Sequence, residues 1–497
     1  MRTALVTVLL SATLFGQTIN LPSSKKLEPV PGSPQKLNSL PSKIVLSPDG
    51  RYAAILNQGY GTALSEGHQS IAIYDIDKMQ LRDFPDARLG PKAQQTYYLG
   101  LSFSSKGDEI YASIASLTDP EGKKKGSSGN GIAVYSFHGG QLVPARFLKI
   151  PLQTLAPGKR FTYGNTPIPA GEAIPYPAGL AVVPPDAEHP HDRLLVANNL
   201  SDNAVLIDAI TGETLHTFDL STKDFVPAVF PHSVVVAPEG KKAWVSLWNS
   251  ATVAEIDLIG LSTKSRQLAP EVPNSSSSPH ASFMTFSMGN LYVGLANKDE
   301  TVIVTPNASG SLDLSLPRGA YLSSLAALPN GDLLLSASGV NAIYEIPACL
   351  GTPGCKRPVH RYPTQWYPTA IAVRGDDVLI VNGKGVGTGP NNGPVSKSER
   401  RRKFPYIASL LNGSLQHTRL STLEAHAKGL NEQVVRSNRL DEKPVRVEWD
   451  AKVEAKIPAK LRARGPIRHV IYIIKENRTY DQVFGDLGVG NGDKSLL

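Results

Sequence analysis

The strongest constraint on the fold is a short unit of three apolar runs that recurs along the chain. Between Tyr176 and Ala209 the runs are Tyr176–Val182, Leu194–Asn199 and Ala204–Asp208. Each run has the length of a strand, is rich in β-branched residues, and is bounded by Pro, Gly, Asn or Asp. None reaches the ten or so residues that a helix would need. One such unit cannot bury both of its faces, so it needs neighbours of the same kind.

Six further units repeat this order. The opening run recurs at Leu40–Lys43, Tyr98–Leu101, Phe230–Ser233, Ser278–Ala281, Tyr321–Ser324 and Tyr367–Ala370. The third run recurs at Ser70–Ile76, Gly131–Phe137, Thr252–Leu258, Thr301–Pro306, Asn341–Ile346 and Tyr406–Asn412. The units are spaced by roughly 43 to 78 residues, as expected for propeller blades with loop insertions.

Seven such units predict an all-β protein, a seven-bladed β-propeller over residues 40–420. Radial closure protects the strand edges that an open stack of short strands would expose. Residues 18–39 precede the first blade, and the scattered apolar residues of Leu27–Leu37 make this segment a candidate for an outer strand that closes the ring.

Several phrases resemble the YVTN-type propeller repeat: Ser47–Tyr52, Leu194–Asn199, Ala204–Asp208 and Thr211–Glu213. The resemblance extends over about residues 40–420 and implies the fold. Propellers of this type serve as lactonases, binding platforms and scaffolds, so the resemblance leaves the function open.

The first 17 residues have the pattern of a signal peptide. Arg2 precedes an apolar core from Ala4 to Phe15, and Gly16 offers a small residue for cleavage. The Pro- and Ser-rich stretch that follows at Leu21–Pro34 disfavours the alternative, a buried N-terminal strand. We therefore predict a periplasmic or secreted protein, and no run is long enough to predict a membrane span.

The only two cysteines, Cys349 and Cys355, lie six positions apart around a Gly- and Pro-containing turn. In an exported protein this spacing favours a local disulfide. A metal site would need more ligands than the nearby His360 supplies.

The net charge of +8 is concentrated in a few places, among them residues 397–403 and 456–468. These runs lack the interleaved aromatic residues that stack on nucleic-acid bases. We predict solvated loops and linkers, and no nucleic-acid partner.

The innermost strands of a propeller line its channel, and His232 and His280 occupy the third position of the opening motif in adjacent blades. One interpretation is a ligand or metal pair, because imidazoles coordinate metals and shuttle protons near neutral pH. The other is a polar lining satisfied by water, which the lack of a carboxylate at this position favours. For the propeller we expect no cofactor, an unidentified ligand at its face or channel, and a monomer.

The chain changes character after the last blade. Residues 421–465 predict a helix, with apolar periodicity over Leu420–Leu440, and then a charged linker. Residues 466–497 contain a continuous apolar run, Val470–Ile474, which is typical of a buried strand in a parallel α/β sheet. Glu476 and Asn477 follow at its carboxyl end, where such sheets place ligands, and their oxygens suit a divalent metal.

The segment Glu476–Asp481 resembles the opening motif of the phosphoesterase family in the alkaline phosphatase superfamily, which includes acid phosphatases and phospholipase C-type enzymes. The resemblance implies that Glu476 and Asn477 bind a divalent metal of unassigned identity in the complete domain. The family's nucleophile and later metal ligands are not found before Leu497, so we expect the first strand of a truncated, inactive domain.

These observations predict an exported binding or scaffold propeller whose full-length form would hydrolyse phosphoesters. The alternative is a lactonase-like hydrolase that acts in the central channel around His232 and His280.

Overall fold

The computed structural model describes residues 18–21, 23–269, 278–306, 308–387, 405–442, 471, 479–488 and 492–496. The chain divides into two compact units, Met1–Asp441 and Glu442–Leu497. In the second unit, the described residues include a helix at Tyr480–Phe484 and a 3₁₀ turn at Lys494–Leu496. The predicted signal peptide and, apart from Ile471, the predicted strand Val470–Ile474 lie outside the described residues.

The described part of the first unit contains seven four-stranded antiparallel sheets, the blades, and we name the strands of each blade A to D in the order in which they pair, from the innermost to the outermost. Blades one to three comprise Pro41–Leu46, Tyr52–Asn57, Ser70–Asp75 and Gln80–Pro85; Thr96–Phe103, Glu109–Ala115, Gly131–His138 and Gln141–Lys149; and Pro177–Val183, Arg193–Asn198, Asn203–Asp208 and Thr214–Asp219. Blades four to six comprise Pro231–Val236, Lys242–Leu247, Thr252–Asp257 and Ser262–Gln267; Ala281–Ser287, Asn290–Leu295, Glu300–Val304 and Ser309–Leu312; and Leu322–Ala327, Leu333–Ala337, Ala342–Ile346 and His360–Pro363. Three two-stranded pairs decorate the ring: Ile19–Asn20 with Lys26–Leu27, Gln153–Thr154 with Glu172–Ala173, and Arg160–Phe161 with Phe225–Val226.

The A strands surround the central axis. Each A strand contacts the A strand of the next blade, and the last returns to the first. In blade one, Tyr52–Asn57 and Ser70–Asp75 are buried along their whole length, whereas the outer strand Gln80–Pro85 is largely exposed. The predicted seven-bladed propeller is therefore present.

Among the described residues, the core consists of seven apolar clusters, each lying between two neighbouring blades. Between blades three and four, for example, Leu195 and Leu206 pack with Val245 and Ile256. Because each blade buries its faces against two others, the ring must close for every blade to be equally covered.

Blade seven combines both ends of the propeller sequence. Its strands are Trp366–Arg374, Asp377–Gly385, Ser414–Arg419 and, on the outside, Ser33–Lys36. The third strand predicted at Tyr406–Asn412 was wrong, because that segment holds a short helix, Ile407–Leu410. The third strand is Ser414–Arg419, whose sequence is polar and has only a weak local preference for a strand. It forms because it pairs with a neighbouring strand on each side.

Two helices follow the last blade, Leu420–Ala425 and Ala427–Asn438. The periodicity predicted one helix, whereas the structure has two, which are separated at His426. The second helix continues through Gly429. Leu423 and Val434 are buried against the propeller, so these helices belong to its unit. Each helix within the described ranges is too short or too polar to span a bilayer.

In the loop before strand D of blade six, a disulfide joins Cys349 and Cys355.

A candidate ligand-binding site in the propeller channel

A residue at or next to the start of strand A adopts the left-handed backbone conformation in most blades. It has φ between +47° and +67° at Leu40, Tyr176, Phe230, His280, Tyr321 and Tyr367. Large side chains rarely adopt this conformation, so neighbouring groups must hold it. These residues stand at the start of the strands that line the channel.

Turn residues of the preceding blade hold this conformation. Asp202, Asp299 and Asn341 are themselves left-handed, which Asp and Asn tolerate better than most residues. Their side-chain oxygens accept hydrogen bonds from backbone N–H groups at the start of the next blade, in the pairs Asp202 with Phe230, Asp299 with Tyr321 and Asn341 with Tyr367. Asp202 also accepts bonds from the N–H groups of Ala228 and Val229. The segment immediately before the strand that carries His232 is therefore fixed.

The register of the blades corrects the predicted equivalence of the two histidines. Pro231 pairs with Leu247 in blade four, and Ala281 pairs with Leu295 in blade five. His280 therefore corresponds to Phe230, and the counterpart of His232 is Ser282. The prediction aligned Pro279 with Pro231, but in blade five the proline lies two residues too early.

His232 occupies the third position and links two blades. Its Nδ1 lies 3.1 Å from the carbonyl oxygen of Ser282. The hydroxyls of Ser323 and Thr369 also bond to the next blade, donating to the carbonyls of Pro368 and Pro41, one strand position before the counterpart of Ser282. Because Nδ1 donates, the neutral ring keeps its lone pair on Nε2.

The electrostatics of the channel keep His232 neutral. Burial is the main cause that lowers its pKa to about 4, and the charges of Lys43 and His280 lower it further, against the raising effect of the Ser282 carbonyl. Burial also lowers the pKa of His280, whose ring stacks on Trp248 with centroids 3.7 Å apart and planes 17° apart. Of the two histidines, His232 lines the cavity described next, whereas His280 stacks on Trp248 and is not part of its lining.

A cavity of about 200 Å³ opens at this place. Its lining comprises Ser42, Lys43, Leu99, Gly179, Leu180, His232, Ser233, Val234, Trp248, Ser282, Phe283, Ala296, Tyr321, Leu322 and Ser323. The lining therefore offers hydroxyls, an imidazole, an ammonium and an indole, and it includes no carboxylate.

Sequence reasoning missed Lys43, Trp248 and Ser282. Lys43 stands in the opening motif of blade one, where the other blades carry small or apolar residues, and this contrast was a usable signal. Trp248 lies just beyond strand B of blade four, and only the folded ring brings it to the cavity. Ser282 became visible only with the corrected register.

No cluster of three or more His, Cys, Asp or Glu side chains suited to a metal forms within the described part of the chain. Glu476 and Asn477, predicted as metal ligands by the phosphoesterase resemblance, lie outside the described residues, so their role stays a prediction. The two basic runs, at 397–403 and 456–468, also lie outside them.

No protein-family model matches the chain, and no curated protein matches it in sequence. Among solved structures, a virginiamycin B lyase from Staphylococcus aureus is 14% identical with a TM-score of 0.48, covering 77% of this chain and 99% of that one. The periplasmic gluconolactonase PpgL from Pseudomonas aeruginosa is 15% identical with a TM-score of 0.43, covering 64% and 85%. The WD40 repeats of RRP9 are 11% identical with a TM-score of 0.46, covering 79% and 99%. These similarities concern the propeller fold and do not bear on what this chain binds.

Proposed function

We propose that the propeller is an exported binding domain that takes a small ligand in the channel cavity. The observation that carries this proposal is the cavity lining, which combines hydrogen-bond donors with apolar surface and lacks carboxylates. A few placed polar groups in a largely apolar pocket are typical of small-molecule sites. Metal-assisted hydrolysis would need a set of ligands that this lining does not supply.

The binding domain would belong to a protein whose C-terminal segment carries a phosphoesterase-like motif. That part of the proposal is supported by the resemblance of Glu476–Asp481 alone.

A variant with a filled cavity tests the binding proposal. Leu99 lines the cavity with an apolar side chain, so Leu99→Trp reduces the volume without removing a side-chain hydrogen bond. Leu215→Trp makes the same change on the exposed outer strand of blade three and is the matched control. Ligand-detected NMR with a library of small acids, amides and sugars should find compounds that bind the wild type and the control but not Leu99→Trp. If no compound shows this pattern, the cavity is not a binding site.

One observation favours a second function, a lactonase-like hydrolase. A neutral His232 with a lone pair on Nε2 has the form of a general base, and its Nδ1 is already oriented by the Ser282 carbonyl. Replacing both His232 and His280 with Ala distinguishes the two functions. A lactone-hydrolysing activity of the wild type that disappears in this folded variant would favour the enzyme over the binding domain.

A further inference from the structure

We propose that the cavity selects ligands that carry an oxyanion, a carboxylate or a phosphate, and that the ammonium of Lys43 binds this group. The inference rests on the proposed binding function and names the chemical class of the ligand. The body of the ligand would lie against the apolar lining supplied by Leu99, Trp248 and Tyr321.

Lys43 is a cation without a counter-ion. It is partly exposed because it lines the cavity, yet its surroundings are desolvating enough to lower its pKa from the usual value. Neither a salt bridge nor a hydrogen bond of its ammonium is found within the described ranges. An ammonium withdrawn from water is costly unless it is paired. An anion in the cavity would supply the missing partner.

Two other cations of the propeller are paired with a carboxylate, unlike Lys43. Arg88 lies 2.6 Å from the carboxylate of Asp86, and Arg193 lies 2.6 Å from that of Asp186. These two cations follow the rule that buried charges are paired. Lys43 departs from it at the cavity.

The neighbours of Lys43 favour an anion as well. The hydroxyl of Ser42, the preceding residue, is buried and has no hydrogen-bond partner within the described residues. His232 stays neutral near pH 7, so it does not repel the ammonium. The cavity lining contains no Asp or Glu that would compete with an anionic ligand. An oxyanion in the cavity would thus meet the ammonium of Lys43 and no competing carboxylate.

A set of matched probes tests the charge preference. Benzoate, phenyl phosphate and benzamide share one ring and differ in charge, and their binding can be measured by calorimetry and ligand-detected NMR. The better of the two anions should bind the wild type at least about tenfold more tightly than benzamide, as expected for a charge-assisted contact. Lys43→Met should remove that preference, and Lys43→Arg should retain part of it. Lys241→Met, which removes an exposed lysine from a turn, should behave as the wild type.

A direct readout on Lys43 complements the affinities. NMR of the lysine Nζ and Cε groups should show the Lys43 pKa rising when the anion binds, which a purely structural lysine would not do. This measurement uses the wild type and so remains decisive even if Lys43→Met fails to fold.

The outcomes separate the two proposals. Benzamide binding as tightly as the anions, an anion affinity unchanged in Lys43→Met, or a Lys43 pKa unmoved by the bound anion would overturn the role of Lys43 and leave the binding function intact. If none of the three probes binds, or if Leu99→Trp does not reduce their binding, the role of Lys43 is overturned. The binding function is overturned as well only if the library of small acids, amides and sugars also yields no compound whose binding Leu99→Trp removes.

Discussion

The Nε2 atom of His417 lies 2.9 Å from the Oδ1 atom of Asp377, on the neighbouring strand of blade seven. Its other ring nitrogen, Nδ1, lies 2.9 Å from the hydroxyl of Tyr74, on the third strand of blade one. All three side chains are buried. A continuous polar chain therefore crosses the seam where the last blade meets the first.

Removing the carboxylate should destabilise this seam. Burial alone would raise the pKa of Asp377, but hydrogen bonds from Arg374 and His417 outweigh it, and the pKa lies below its usual value. The ionised carboxylate thus stabilises the folded chain above the unfolded pKa of about 3.9, and this contribution is lost as the pH falls through the lower folded value. We expect Asp377→Ala to cost about 3 kcal/mol in the free energy of unfolding at pH 7.

Urea unfolding at pH 7 and at successively lower pH measures this cost. The difference from the wild type should shrink in the acid range, whereas Glu188→Ala, an exposed control, should show little difference at any pH. A cost for Asp377→Ala that does not vary with pH would show that the lost contacts are not electrostatic.

The closing strand depends on a glycine. Gly32 precedes Ser33–Lys36 and has φ +89°, and a Cβ built there would lie 2.0 Å from the carbonyl oxygen of His417. Gly32→Ala therefore combines backbone strain of about 1–3 kcal/mol with a clash against backbone that cannot yield easily. We expect it to weaken pairing with Ser414–Arg419 and to lower the thermal unfolding midpoint.

Gly158→Ala is the matched control, because Gly158 has φ +85° and no atom within 4 Å of its built Cβ. It carries the backbone strain without the clash. Hydrogen exchange should show loss of protection in Ser414–Arg419 only in Gly32→Ala. Equal destabilisation by both variants would mean that the close approach to His417 is unimportant.

The fold was predictable because each blade repeats the same local signals. Apolar runs such as Leu194–Asn199, punctuated by turn residues, predict strands without any knowledge of distant contacts. The exception in blade seven, Ser414–Arg419, has a polar sequence and owes its strand to its partners. The local sequence pattern does not predict a strand that forms only because it pairs with its neighbours.

The site was predictable only in part. The position of His232 in the repeat predicted its place in the third position of the opening motif. The alignment on Pro279 placed His280 in the wrong register. The start of strand A is defined by a left-handed residue, and no particular residue type identifies that residue in the sequence. Lys43 and Trp248 lie about 200 positions apart, and their meeting at one cavity is a property of ring closure.

Asp202 should be necessary for the position of His232. Its buried carboxylate accepts bonds from three successive backbone N–H groups, Ala228 to Phe230. Asp202→Ala leaves these donors without their partner, so we expect a loss of about 2–3 kcal/mol and a changed NMR environment for His232. Asp299→Ala removes the same device from the start of blade six, and it should leave His232 unchanged. A His232 signal that moves equally in both variants would indicate a general loosening of the ring.

The protonation of His232 should appear in the pH dependence of stability. Its folded pKa of about 4 lies below the usual value of about 6.5 for histidine, mainly because the ring is buried. Between these values the unfolded chain binds a proton that the folded chain does not, so the free energy of unfolding decreases as the pH falls from 6.5 to 4. Above pH 6.5 this residue contributes no slope. In His232→Gln this part of the pH dependence should be absent, while the acid-range contribution of Asp377 remains. NMR titration of the His232 ring measures the same quantity directly, and a midpoint near 6.5 would show that the channel does not desolvate the imidazole.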